Sequence, residues 1–225
     1  ETELTFENTL LALESAYETL SRPWGLVGHL DSVCNSDPLR EAQNTMLPKV
    51  SEFFAKIPLN AGLWKRVKSY SETDEANSLS PTKRRFLDET ITDFRNSGAE
   101  LSDEKKGRLM ELESELAQKT QKYSENVLDS TNAWQKVIEG ESLLAGLPES
   151  AKIAALETAK VKELEGWVFT LHAPSIMPIM KYLDDDSIRQ ELWGASCKVG
   201  WEGEWDNTDL IRKILELRQE KAKIL

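Results

Sequence analysis

The sequence predicts a mainly α fold: a multi-helix lobe with one long helix of about 35 residues and a minor short β element near 166–171. Three observations carry this. Apolar residues recur at steps of three and four along almost the whole chain, the spacing that puts them on one side of an α-helix. Ser36-Asp37-Pro38 and Ser80-Pro81 are helix starts, a capping residue followed by a ring whose fixed φ suits the first turn. Only 166–171 joins a short apolar run to a β-rich composition.

Taken in order, the first helix starts at Thr5, with Asn8 near its third position, and carries Leu10, Leu13, Tyr17 and Leu20. Pro23 interrupts it, and a second pattern follows through Leu26, Leu30 and Val33. The helix restarted at 36–38 carries Leu39, Ala42, Met46, Leu47, Val50, Phe53 and Phe54, bends at Pro48 and ends before Pro58. A short helix over 60–70 bears Leu63, Trp64 and Val67, and polar 71–78 reads as a loop. The helix from Ser80 places Phe86, Leu87, Ile91 and Phe94 on one face and stops at Ser97-Gly98, a left-handed cap.

Ser102 opens the long helix, with Asp103 and Glu104 at its positive end. Leu109, Leu112, Leu116, Tyr123, Val127, Trp134 and Ile138 keep helical steps. At 1.5 Å per residue, about 35 residues make a rod of ~50 Å. Tidy heptads cover only its first turns, so it reads as a strut between lobes rather than a coiled coil. Tyr123 and Val127 are packing positions on it, and Asn126 and Asp129 are placed to tie it to neighbouring elements.

Gly140 and Gly146-Leu147-Pro148 close that helix, and another covers 150–160 before the strand. Ala173-Pro174-Ser175 turns the chain into a helix through Met177, Met180 and Leu183. Ser187 or Asp186 caps the next, which bears Ile188, Leu192, Trp193 and Cys197. A Gly- and Trp-rich loop, 200–205, precedes the last helix, capped by Asp206, Asn207 or Thr208, with Leu210, Ile211, Ile214, Leu215 and Leu217 as its stripe. No internal repeat is evident.

Net charge of −11 argues against nucleic acid, because a binder must neutralise phosphates with clustered cations. The one basic cluster, Lys83-Arg84-Arg85, is followed by Asp88 and Glu89 and reads as a solvated helix face. Cys34 and Cys197 are too few for a disulfide framework; they suit a reducing compartment and read as small buried hydrophobes. No apolar run approaches the ~20 residues of a membrane span. The chain starts at Glu1 and stops within a helical pattern, so it reads as a piece of a longer polypeptide.

The sequence holds no catalytic motif and no metal ligand set. Zinc hydrolysis needs converging imidazoles and a carboxylate, commonly His-Glu-x-x-His on one helical turn. The two histidines, His29 and His172, have no ligand at that spacing. Asp184-Asp185-Asp186 lacks the alternation and Gly of a calcium loop and reads as helix capping. No Gly-rich phosphate loop exists, and Ser175 is not in a Gly-x-Ser-x-Gly setting. Of the tryptophans, Trp24, Trp64, Trp134, Trp167 and Trp193 fall on apolar stripes and are expected in the core. Trp201 and Trp205 lie in a Gly- and Glu-containing loop and are expected exposed; they are candidates for a substrate-facing or interface role.

Six blocks occur in an informative order: His29-Leu-Asp-Ser-Val-Cys-Asn-Ser-Asp-Pro-Leu-Arg40, Tyr123-Ser-Glu-Asn-Val-Leu-Asp-Ser-Thr131, Leu144-Ala-Gly-Leu-Pro-Glu-Ser150, Leu171-His-Ala-Pro-Ser-Ile-Met-Pro-Ile-Met-Lys-Tyr182, Trp205-Asp-Asn-Thr208 and Ile214-Leu-Glu-Leu-Arg-Gln-Glu-Lys-Ala222. Together they resemble the N-terminal half of the oligopeptidase A, thimet oligopeptidase and neurolysin family of zinc metallopeptidases, over nearly the whole chain. Ile176, where relatives often carry an aromatic, and Lys198, where an Arg is expected, depart from the pattern.

The resemblance implies two mostly helical lobes flanking a deep channel, with zinc, His-Glu-x-x-His and the residues stabilising the tetrahedral intermediate all in the C-terminal part. On that reading the chain, 1–225, is a non-catalytic N-terminal lobe that divides into a helical bundle with the strut, 1–138, and the start of a second region, 139–225. Its catalytic residues and metal ligands are none, and zinc belongs to the full-length parent. Its partners are the C-terminal catalytic region and short peptides, with no nucleic acid and no membrane, in the cytoplasm. Trp201 and Trp205 are the candidates for the channel. Apolar surface that meets the missing half is expected on the last helix and the 201–205 loop, with a non-native dimer as one consequence. The alternative is a stand-alone helical interaction or scaffold domain.

Overall fold

A computed structural model of the chain describes residues 3–225. The fold is mainly α, with one two-stranded antiparallel sheet. The described residues form two compact units, one of residues 3–119 and 214–225, the other of 120–213. The boundaries of these units fall inside two helices.

In the first unit, Thr5 and Asn8 cap the chain's first helical turns reciprocally: the Asn8 N–H donates to Thr5 Oγ1 at 3.2 Å and the Thr5 N–H to Asn8 Oδ1 at 3.0 Å. A π-helical turn, Glu7–Leu11, leads into α1 (Ala12–Ala16). The break before α2 (Glu18–Val33) comes at Tyr17, and Pro23 lies inside α2 rather than interrupting it. Pro23 is in the second turn, where little of the ladder precedes it.

The next helix, α3 (Asp37–Leu59), contains both Pro48 and Pro58, so it runs past its expected end. Asn60 stops it by leaving helical space, and its side chain accepts the Leu63 N–H at 3.0 Å to start α4 (Ala61–Ser71). The segment expected as a loop over 71–78 holds one further helical turn, α5 (Asp74–Asn77), capped by Thr73. α6 (Pro81–Asn96) follows, with Pro at its first position.

The core of this unit gathers Phe6, Leu10, Trp64, Val67, Tyr70, Leu87 and Phe94, with Trp64 stacked on Phe94 at 6.0 Å between centroids. A second cluster joins Leu112 and Leu116 of α7 (Asp103–Ala133) to Ile214 and Leu217 of the last helix, α11 (Thr208–Ile224). Arg108 Nε and Glu220 Oε1, 2.6 Å apart, and Lys221 and Glu113, also 2.6 Å, pair across the same seam.

The long helix has 31 residues and ends at Ala133, short of the 35 that its spacing suggests. Trp134 and Ile138 keep a helical step, but Gln135–Ile138 is a strand, β1. It pairs antiparallel with β2 (Trp167–Thr170), Gln135 opposite Thr170 and Ile138 opposite Trp167. The partner strand satisfies the backbone donors that a helix would have bonded internally.

The second unit packs α8 (Glu149–Val161), α9 (Ala173–Tyr182) and α10 (Asp186–Ser196) around this two-stranded sheet. Ile138, Leu144, Leu147, Phe169, Ile179, Leu183 and Leu192 form its core. Asp185, not Asp186 or Ser187, caps α10, accepting the Ser187 N–H at 2.9 Å and the Ile188 N–H at 3.0 Å. Those bonds, with the Ser187 hydroxyl contributing most, hold its carboxyl below the usual range.

Candidate functional site

The loop between α10 and α11 carries both tryptophans singled out by the sequence, and α7 holds it at each end. Gly200 sits at φ +67°, where a Cβ would lie 3.0 Å from Asn207 Nδ2 and 3.3 Å from Val127 Cγ2. Its N–H donates to Ser130 Oγ at 3.1 Å, and its carbonyl accepts the Asn207 N–H at 2.9 Å. The Asn207 side chain is buried. Its Nδ2 donates to the Tyr123 carbonyl at 3.2 Å, and its Oδ1 accepts from Asn126 Nδ2 at 2.9 Å. Asn126 is thus the tie that the sequence suggested, although its Oδ1 is buried without a partner.

At the loop's far end Asp206 takes the capping role at the start of α11, accepting the Thr208 hydroxyl at 2.6 Å and its N–H at 2.8 Å. These two bonds, the hydroxyl's first, keep the Asp206 carboxyl below the usual range. A depressed folded value means the cap stabilises above the unfolded-state value and is lost as pH falls through the folded one. Asp206→Asn is therefore expected to be less stable than the parent at about pH 7, with the gap closing well below the reference value of ~3.9. Urea midpoints measured across that window check it; a gap independent of pH would assign the loss to shape rather than charge.

Between this loop, β1 and α10 lies a groove of about 540 Å³, within the ~300–1,000 Å³ typical of small-ligand sites. Trp134, Leu171, Trp205 and Ala195 supply apolar wall, and Gln190, Glu191, Lys198 and Glu202 the polar rim. The rim charges pair locally, Lys198 with Glu202 at 3.0 Å and Glu191 with Lys136 of β1 at 2.7 Å. No His, Cys or Asp lines the groove, and the Ser130 hydroxyl already accepts from Gly200. This arrangement can hold an apolar side chain; it offers no nucleophile–base pair.

Of the two candidate residues, Trp205 is half-buried and lines the groove, while Trp201 stands outside it, 60% exposed. Trp134 joins Trp205 as a wall, a role that its apparent place on a helical stripe concealed. Trp193 is corrected from core to surface at 59% exposure. The buried stripe of α10 is Ile188 and Leu192, and Trp193 is turned about 100° from Leu192. Tyr123 is also exposed, its carbonyl rather than its ring making the tie. Cys34 and Cys197 both lie at helix C-termini and are exposed, not buried hydrophobes.

The sequence places this fold among known proteins. Residues 1–106 match the family model of the neurolysin/thimet oligopeptidase N-terminal domain. Along 98% of its length the chain is 39% identical to oligopeptidase A of Haemophilus influenzae and 38% identical to oligopeptidase A of Escherichia coli. A probable cytosolic oligopeptidase A of Arabidopsis thaliana is 33% identical over 95% of the chain. The family that these matches share is that of oligopeptidase A and thimet oligopeptidase. It spans about a third of the length of these relatives, 33% of each bacterial protein and 31% of the plant one.

The family is one of zinc peptidases, but the residues of this chain do not fit that metal. Among the described residues no group of three or more His, Cys, Asp or Glu could hold an ion, and His29 and His172 lie in different units, both exposed. Nor is any helix of the described residues long and apolar enough to cross a membrane.

Proposed function

We propose that the chain is the non-catalytic N-terminal part of a cytoplasmic zinc-dependent oligopeptidase that hydrolyses short peptides, and that it supplies one wall of the substrate channel. The observation that carries this is the 39% identity to an oligopeptidase A along 98% of the chain and a third of the relative. Zinc and the catalytic groups belong on this reading to the remainder of the protein. The residues here bind and exclude: the Trp134–Trp205 groove takes an apolar side chain of the peptide, and the helical wall turns away folded proteins by size. Steric selection of this kind needs no reactive residue in the wall.

The purified chain is expected to cleave no short peptide and to carry no stoichiometric zinc. Zinc-dependent cleavage by the chain alone overturns the proposal. A parent reading frame with no downstream His-Glu-x-x-His overturns it too, in favour of a stand-alone helical interaction domain. In the full-length enzyme, Trp205→Ala is expected to raise KM about 3–10-fold with kcat little changed, the mark of lost uniform binding. A fall in kcat at constant KM would remove Trp205 from the binding role.

A further inference from the structure

The α2 helix carries two apolar stripes, and only one of them is used. At about 100° per residue, Leu20, Trp24 and Val27 fall within about 60° around the axis, and all three are half-buried. Leu26, Leu30 and Val33 fall within another arc of about 60°, centred about 120° away. They are 58%, 39% and 64% exposed, and no residue of α2 is fully buried. From Pro23 to Val33 the only formal charge is Asp31, in a chain that is 30% charged. A solvated helix face carries charged and polar residues; this one is composed like an interior. On α3, Ala42, Met46 and Phe53 are also exposed.

We propose that the Leu26–Leu30–Val33 stripe is a docking face whose occupant is the rest of the same polypeptide. This rests on the reading of the chain as part of a longer oligopeptidase. Relatives that align along 98% of the chain are matched over only 33% of their own length, so most of each such protein lies outside the matched part. The size of the face points to a covalently linked partner. Three side chains fall far short of the ~800 Å² per partner that a stable complex of separate proteins buries. A segment of the same chain, held at about millimolar effective concentration by its connection, needs no such area. The same argument disfavours a second copy of the chain.

Carbene footprinting of the 225-residue chain and of the full-length protein tests this. Leu26, Leu30 and Val33 are expected to label strongly in the chain and about fivefold less in the full-length protein, the ratio of a half-exposed to a buried side chain. Leu26→Glu with Leu30→Glu is expected to leave the chain's Tm and helical signal unchanged while lowering the Tm of the full-length protein. Equal labelling in both proteins overturns the proposal. Protection that appears only on adding peptide, or only at high protein concentration, overturns it as well, assigning the face to substrate or to a second copy. Peptide cleavage by the full-length protein reports on the oligopeptidase reading separately, so loss of either conclusion is recognised on its own.

Discussion

Gly146→Ala is expected to cost the second unit about 3–5 kcal/mol, more than any other single-methyl change in it, from left-handed strain of ~1–2 kcal/mol plus disruption of close packing. Gly146 has φ +86°, and a Cβ there would lie 2.1 Å from the Tyr182 carbonyl oxygen and 2.7 Å from Asp184 Oδ1. The first of these atoms is backbone and cannot rotate away. The turn would have to withdraw from α9, and the bond from the Asp184 N–H to the Ala145 carbonyl, 2.9 Å, is directly in the way. Leu144 and Leu147, both buried in the core of the unit, flank the glycine and would move with it. Urea denaturation followed by tryptophan fluorescence measures the loss. Gly25→Ala is the control, since its Cβ meets nothing within 4 Å in α2, and it is expected to stabilise by about 0.4–1 kcal/mol. If Gly146→Ala unfolds within about 1 kcal/mol of the parent, close packing of this turn is refuted.

Periodicity made most of the helices legible, because burial of one face is a local property of a helix and leaves its mark every three or four residues. It failed where a distant partner decided the outcome. Trp134 and Ile138 fit a helix as well as a strand, and only pairing with Trp167–Thr170 selects the strand. Trp193 lies beside an apolar stripe and was expected on it; a rotation of one residue separates core from surface in α10. Pro23 marked a break that the chain made at Tyr17 instead.

The candidate site divides in the same way. A loop rich in Gly, Glu and Trp is readable as surface, and Trp201 is exposed. The groove is not readable, because its walls come from Ser130, Trp134, Leu171 and the 190–205 stretch, which are neighbours only in the fold. The bond between Asn126 and Asn207 spans 81 residues. The sequence could nominate Asn126 as a polar residue on a packed helix, but nothing local named its partner.

That partner is expected to be the more sensitive of the two. Asn207→Ala leaves the Asn126 Nδ2 hydrogens without an acceptor and takes a donor from the Tyr123 carbonyl. At ~1–3 kcal/mol for each buried group left unpaired, the cost is expected to be about 2–4 kcal/mol, with the Tyr123 carbonyl contributing less because its helix already uses one lone pair. Asn126→Leu removes the same bond but also removes the buried Oδ1 that has no partner in the parent, so only Asn207 Oδ1 is newly orphaned. Its cost is expected to be about half as large. The double variant should fall short of the sum by about 1–2 kcal/mol, since the two side chains share one bond. Equal single-variant costs, or a larger one at Asn126, would overturn this asymmetry. The expected asymmetry follows from connectivity. Asn207 reaches Gly200 through its backbone and Tyr123 and Asn126 through its side chain, so one residue joins the groove-bearing loop to two successive turns of α7.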